Sequence, residues 1–157
     1  LGLDFAGQTQ HKLVKTYAYV RSPVTREHLL EQKAIHDQLI REQWPVVPVE
    51  VVQTGETTWG LMMSKVEGER FINVYNRLRH ENPGLAQTLR SRADRLLDRV
   101  DQITEKRFGR RLADRRSGPH GEPDDYENFI VTRGPRGEPL PVNIDPFNMG
   151  LYVNAPK

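Results

Sequence analysis

Apolar positions recur along the chain at two periods, and the changes from one to the other outline its elements. Leu13-Val14 and Tyr17 to Val20 form a short β-prone segment around Lys15, with Tyr17 and Tyr19 alternating. The residues before it, with Gly2 and Gly7, read as the frayed end of a hairpin. After Ser22-Pro23 the pattern predicts a helix, capped by Ser22 or Thr25, that runs to about Gln43 and stops before Pro45. Its apolar stripe holds Ile35 and Leu39, and stepping back by four reaches Glu31 and then Glu27. A carboxylate is therefore expected on the face that packs inward.

Val46 to Val52 alternates and is β-branched, with Pro48 suited to an edge. Gln53-Thr54-Gly55-Glu56 turns the chain, and Thr58 to Met63 returns as a second strand that leads into Lys65-Val66-Glu67-Gly68. Phe71 to Arg79 reads as a short helix broken by Asn82-Pro83-Gly84. Leu85, Leu89, Ala93, Leu96, Val100 and Ile103 then recur at spacings of 4, 4, 3, 4 and 3, the signature of one helical face. Gly109 ends that helix, and after a basic run to Arg116 a loop is expected from Ser117 to Pro123. Phe129 to Thr132 and Leu140 to Ile144 form a hairpin about the Arg133-Gly134-Pro135-Arg136-Gly137 turn.

Composition narrows the classes. The chain has 157 residues, room for one domain around one core. With 36% hydrophobic and 28% charged residues, its longest apolar runs fall far short of the roughly 20 that a bilayer helix needs, so no membrane segment is expected. No leader pattern opens the sequence, and a cytoplasmic location or secretion into a host cytosol is expected. There is no cysteine, which removes disulfides, thiolate metal sites and thiol nucleophiles. The five histidines show no zinc-ligand spacing, and no Gly-x-Ser-x-Gly elbow occurs. A net charge of +2 gives little reason to expect a nucleic-acid partner. The basic run Lys106, Arg107, Arg110, Arg111, Arg115 and Arg116 has only Phe108 interleaved and is interrupted by Asp114, so it reads as a solvated face or a patch for an acidic partner.

The polar candidates gain meaning from their order. A strand carries Lys15, and the next helix carries an inward glutamate, Glu31. A hairpin ends in Leu61-Met62-Met63-Ser64-Lys65-Val66-Glu67-Gly68. After the long helix come His120, Asp124, Asp125 and Asn128, and a last hairpin delivers Asp145. In this order, over roughly residues 13 to 150, the chain resembles the protein-kinase-like superfamily. The likeness is to the minimal, atypical kinases that bacteria inject into, or use against, other cells.

The resemblance implies an α+β, kinase-like fold: a small antiparallel sheet lobe with one helix, about residues 1–66, and a reduced helical lobe carrying a catalytic-loop hairpin, about 67–157, in a single minimal domain. It implies an ATP- and Mg2+-dependent phosphotransferase acting on serine, threonine or tyrosine hydroxyls of a protein substrate, which for an injected enzyme is a host protein. Lys15 would contact the nucleotide phosphates and be held by an ion pair with Glu31, Glu27 being the fallback. Met63 would stand behind the adenine, and the backbone of Ser64 to Val66 would meet the base edge. Asn128 and Asp145 would bind magnesium, with Asp124 or Asp125 as the catalytic carboxylate. The chemistry agrees, since phosphoryl transfer needs a cation on the phosphates, oxygen ligands for magnesium and a carboxylate at the acceptor hydroxyl.

The chain also departs from that pattern. The usual aspartate five residues before the asparagine is Pro123 here, and Pro146 and Phe147 follow the metal aspartate in place of phenylalanine and glycine. No full glycine-rich loop precedes Lys15, and few residues follow Asp145 to hold a peptide. A catalytically inactive interaction module and a small-molecule kinase are therefore the alternatives.

Overall fold

In a computed structural model, which describes residues 12–17, 22–115 and 126–154, two three-stranded sheets are joined by helices. The first sheet contains β1 (Lys12–Lys15), β2 (Val49–Gln53) and β3 (Trp59–Ser64), in the order β1-β3-β2 and antiparallel throughout. Lys15 stands opposite Leu61, and Val51 faces Leu61 from the other side. The second sheet, β4-β5-β6, is built from β4 (Glu69–Arg70), β5 (Phe129–Arg133) and β6 (Pro139–Asn143). The protein is thus α+β with small antiparallel sheets. Residues 1–11 and 18–20, expected as hairpin end and strand, lie outside the described residues.

Helix α1 (Arg26–Arg41) connects the strands of the first sheet. Thr25 caps it: its hydroxyl accepts from the His28 N–H, and the His28 ring accepts from the Thr25 N–H. Two donors that would otherwise be orphaned are satisfied in this way. The buried face is Leu29, Gln32, Ile35, His36 and Leu39. The expected stripe through Ile35 and Leu39 is correct, but it continues three residues back to Gln32 rather than four back to Glu31.

Asn82 separates α2 (Phe71–Glu81) from α3 (Pro83–Phe108), and its side chain accepts from the Leu85 N–H. Pro83 fits the first turn of α3 because its missing N–H has no partner there in any case. Leu89, Ala93, Leu96, Val100 and Ile103 are buried as the spacing predicts, whereas Leu85, the first expected position, is only half-buried and Ala86 is buried beside it. Gly109 ends the helix at φ 73°, a left-handed position that glycine occupies at no steric cost.

The sheets meet through backbone pairing. Val46 bridges Asn143 in parallel, the Val47 N–H donates to the Asn143 carbonyl, and the Asn143 N–H donates to Pro45. Phe71, Tyr126 and Phe129 pack as rings with centroids 4.5–6.1 Å apart behind β5. Phe108, Phe147 and Tyr152 form a second cluster that seats α4 (Met149–Asn154) beside α3. Neither the two-residue β4 nor α4 is predicted from the sequence pattern. No helix among the described residues is long and apolar enough to cross a membrane.

An ion pair just past the end of α1 ties that end to α3. Arg99 donates two hydrogen bonds of 2.7 Å to the Glu42 carboxylate. Those bonds hold the Glu42 carboxyl at about 2, well below its ordinary value of 4.5. A carboxylate whose folded pKa is depressed contributes stability above its unfolded pKa and loses it as pH falls toward the folded one. Because the pair is partly solvated, that contribution is about 1 kcal/mol. Glu42→Gln should therefore be about 1 kcal/mol less stable at pH 7, with the difference shrinking as pH falls from 4.5 toward 2, as urea unfolding at several pH values would measure.

Candidate functional site

Lys15 lies at the end of β1, on the strand paired to β3, and its ammonium meets the Asp145 carboxylate. The two residues are 130 positions apart in sequence, and the Asp145 side chain is only 5% exposed. Asp145 follows β6, and its own N–H donates to the Asn143 side-chain oxygen at 2.7 Å. That bond is an Asx turn, which fixes how the aspartate leaves the strand.

The other oxygen of Asp145 accepts from Gln32 Nε2 at 2.7 Å. A carboxylate accepts only, so the nitrogen of the Gln32 amide must face it. The Gln32 oxygen then accepts from the Tyr17 hydroxyl at 3.0 Å. His36, fully buried, sets Nδ1 2.8 Å from the Val47 carbonyl and Nε2 3.4 Å from Gln32 Nε2. A carbonyl accepts, so Nδ1 carries the proton and Nε2 presents its lone pair to the amide. Burial lowers the His36 pKa, against the raising influence of the Val47 carbonyl and Asp145, and keeps the ring neutral. The aspartate is thus held by a lysine on one oxygen and a braced amide on the other.

The Lys15–Glu31 ion pair expected from the sequence does not form. Glu31 lies on the flank of α1, half-exposed, and its carboxylate pairs with Arg107 on α3. Gln32 takes the inward place because a neutral amide can be buried with all its bonds made, whereas a second carboxylate beside Asp145 would add a like charge in a poorly solvated position.

Asn128 joins the cluster through the backbone: its carbonyl accepts from the Ile144 N–H at 2.9 Å. Its amide donates to Asp114 at 2.9 Å. Asp114 is in turn placed by its N–H on the Pro146 carbonyl, and the preceding Ala113 bridges Phe147. From the α3 side, the Thr104 hydroxyl accepts from the Leu112 N–H and Asp101 from the Ala113 N–H, at 2.9 and 3.0 Å. Asp114, buried and pinned from two sides, was not a sequence candidate. Its signal is the apolar pair Leu112-Ala113 inside a run of charges, which marks a segment that packs rather than a solvated face.

The other sequence candidates fall as follows. Met63 and Ser64 are buried at the end of β3, and the Ser64 hydroxyl accepts from Lys12 at 2.9 Å. Val66 is buried just beyond. Asp124 and Asp125 lie outside the described residues, as does His120. The basic run is largely neutralised within the protein: Arg107 pairs with Glu31, Arg111 with Glu105, and Arg115 with Asp98 and Asp101. Arg110 donates to the Leu151 and Tyr152 carbonyls. Arg116 lies outside the described residues. A cavity of about 520 Å³ opens between Glu67–Glu69, α2 and the β5–β6 hairpin, and neither Lys15, Asn128 nor Asp145 lines it.

Fold and cluster together define an α+β protein in which a lysine and an aspartate from distant parts of the chain are paired between two small sheets. Set against protein-family models, curated proteins and solved structures, the chain matches none of them.

Proposed function

We propose that the protein is an ATP- and magnesium-dependent phosphotransferase, a minimal protein kinase acting on a hydroxyl of a partner protein. The observation that carries this reading is the convergence of Lys15 with Asp145, joined through the Ile144 backbone to Asn128. The donor chemistry fits a hard cation. Asp145 offers carboxylate oxygens, and Asn128, with its nitrogen committed to Asp114, keeps its amide oxygen as a ligand. Among the described residues no three acidic or histidine side chains group closely enough to hold a metal by themselves, and magnesium in such sites takes much of its shell from water and phosphate. When bound, it supplies charge neutralisation on the phosphates.

The chain's own residues then divide the work. Lys15 exchanges an Asp145 oxygen for a phosphate oxygen. Asp145 and Asn128 would hold the magnesium ion through their side-chain oxygens. Asp114, fixed against Asn128, is the carboxylate we assign to the acceptor hydroxyl, a role that the resemblance gives to Asp124 or Asp125. The second reading, a nucleotide-free interaction module, is favoured by one feature: α1 presents the amide of Gln32 where an acid was expected.

Thermal unfolding with and without Mg-ATP separates the two. At ATP about a hundred times its Kd, the phosphotransferase reading expects Tm to rise by about 5–10 °C, and the rise to vanish in Lys15→Ala. No rise in the unsubstituted protein, or one that survives the substitution, would count against nucleotide binding at this cluster.

A further inference from the structure

Behind the joint between the two sheets, Trp44 and Pro45 face Leu140 and Pro141 across a groove of about 290 Å³, with Arg92 and Arg95 of α3 at its side. The walls are preformed. The Trp44 indole N–H donates to Glu42 at 3.2 Å, and the Trp44 backbone N–H donates to the Leu39 carbonyl after a left-handed turn at Gln43, φ 67°. Pro45 is bonded to Asn143 of β6, the strand that also carries Leu140 and Pro141. A binding surface fixed before its ligand arrives avoids the ordering cost that weakens flexible sites.

The charges beside the groove are what single it out. Along α3 and the segment after it, Arg99, Arg107, Arg111 and Arg115 each meet a carboxylate of this chain. Arg92 and Arg95 meet none among the described residues; Arg95 Nε reaches only the Ser91 carbonyl, at 3.4 Å. An apolar ligand without charge would desolvate these guanidiniums and return nothing. A carboxylate-bearing one would form two-pronged hydrogen bonds with them. Tryptophan and arginine around an apolar hollow are also the residue types that dominate protein-binding hot spots.

We propose that this groove docks an acidic peptide segment of a partner protein, seating one bulky apolar side chain between Trp44 and Pro141 while flanking carboxylates engage Arg92 and Arg95. The volume suits one large side chain rather than a whole cofactor. The inference stands on the groove and its charges alone, independent of the phosphotransferase reading.

Trp44 reports on its own site. In a Trp59→Phe background, Trp44 is the remaining tryptophan. Its fluorescence can be followed against three blocked pentapeptides, Glu-Asp-X-Asp-Glu with X as phenylalanine, leucine or tryptophan, the last read by chemical-shift changes instead. The expected result is saturable binding by at least one of them, with Kd below about 1 mM. Binding should weaken at least tenfold for the Gln-Asn-X-Asn-Gln counterpart and for the Arg92→Glu, Arg95→Glu double variant. Circular dichroism checks the fold of that variant, with Arg92→Gln, Arg95→Gln as the replacement if charge reversal disturbs it. Equal affinity for the uncharged peptides, affinity unchanged by either double variant, or no binding by any acidic peptide would overturn the proposal. So would binding of a single-stranded oligonucleotide but not the peptides, which would make the groove a phosphate site.

Discussion

Asp145→Asn should reduce phosphate transfer from γ-labelled ATP by at least about a hundredfold while the protein stays folded. The substitution keeps the shape of the side chain and one oxygen for the Gln32 amide, and the turn bond from residue 145 to Asn143 belongs to the backbone. It removes the negative charge that Lys15 meets and that a magnesium ion would need. Losing one charged partner from a mostly buried pair costs about 1–3 kcal/mol, moderated here because Lys15 is 30% exposed. Asp145→Ala should lose transfer equally but melt lower, because it also strands the Gln32 donor. An assay with magnesium against a cell lysate, run beside melting curves of both variants, checks the two effects separately. Transfer undiminished in a folded Asn variant would end the phosphotransferase reading.

Gly68→Ala should lower Tm by about 5–10 °C, following a loss of about 3 kcal/mol. A methyl group there would stand 2.4 Å from the Val131 carbonyl oxygen and 2.9 Å from Ile130 Cγ2. Neither can yield cheaply, since Val131 is paired with Glu69 of β4 and with Pro141 of β6. The chain would have to part β4 from β5 at the point where it passes from the first sheet to α2. Gly84→Ala is the informative contrast. Its added carbon would find nothing nearer than 3.8 Å, inside the first turn of α3, and it should raise stability by about 0.5–1 kcal/mol. Scanning calorimetry of the two variants side by side decides the matter, and equal melting temperatures would show that the approach at Gly68 carries no constraint.

How far the sequence could be read differed by element for physical reasons. The face of α3 was readable because it repeats over about five turns, so each buried position supports the next. The α1 stripe was readable at Ile35 and Leu39 but not beyond. With 3.6 residues per turn, positions three and four back are both neighbours, and only the packing chooses between Glu31 and Gln32. A neutral amide won because three partners, Tyr17, His36 and Asp145, were waiting to satisfy it, and none of them is visible from α1 alone. Lys15, Asn128 and Asp145 were singled out by their order along the chain. Asp114 was hidden because it sits 14 residues from its partner Asn128 and within a run of basic residues. β4 and α4 are too short, at two and six residues, to carry a period.

The span closed by the Lys15–Asp145 pair has a kinetic meaning. Helices α1 and α3 need only local contacts, and the β5–β6 hairpin closes a short loop, so each can form early. The cluster instead joins β1 to the end of β6 across 130 residues and α1 to the same aspartate across 113. Closing loops of that length bears an entropy cost that only a largely assembled molecule repays. The cluster is therefore among the last features to form on the way to the native state. A partly folded chain would carry most of its helices and lack the Lys15–Asp145 pair, so formation of that pair reports that folding has finished.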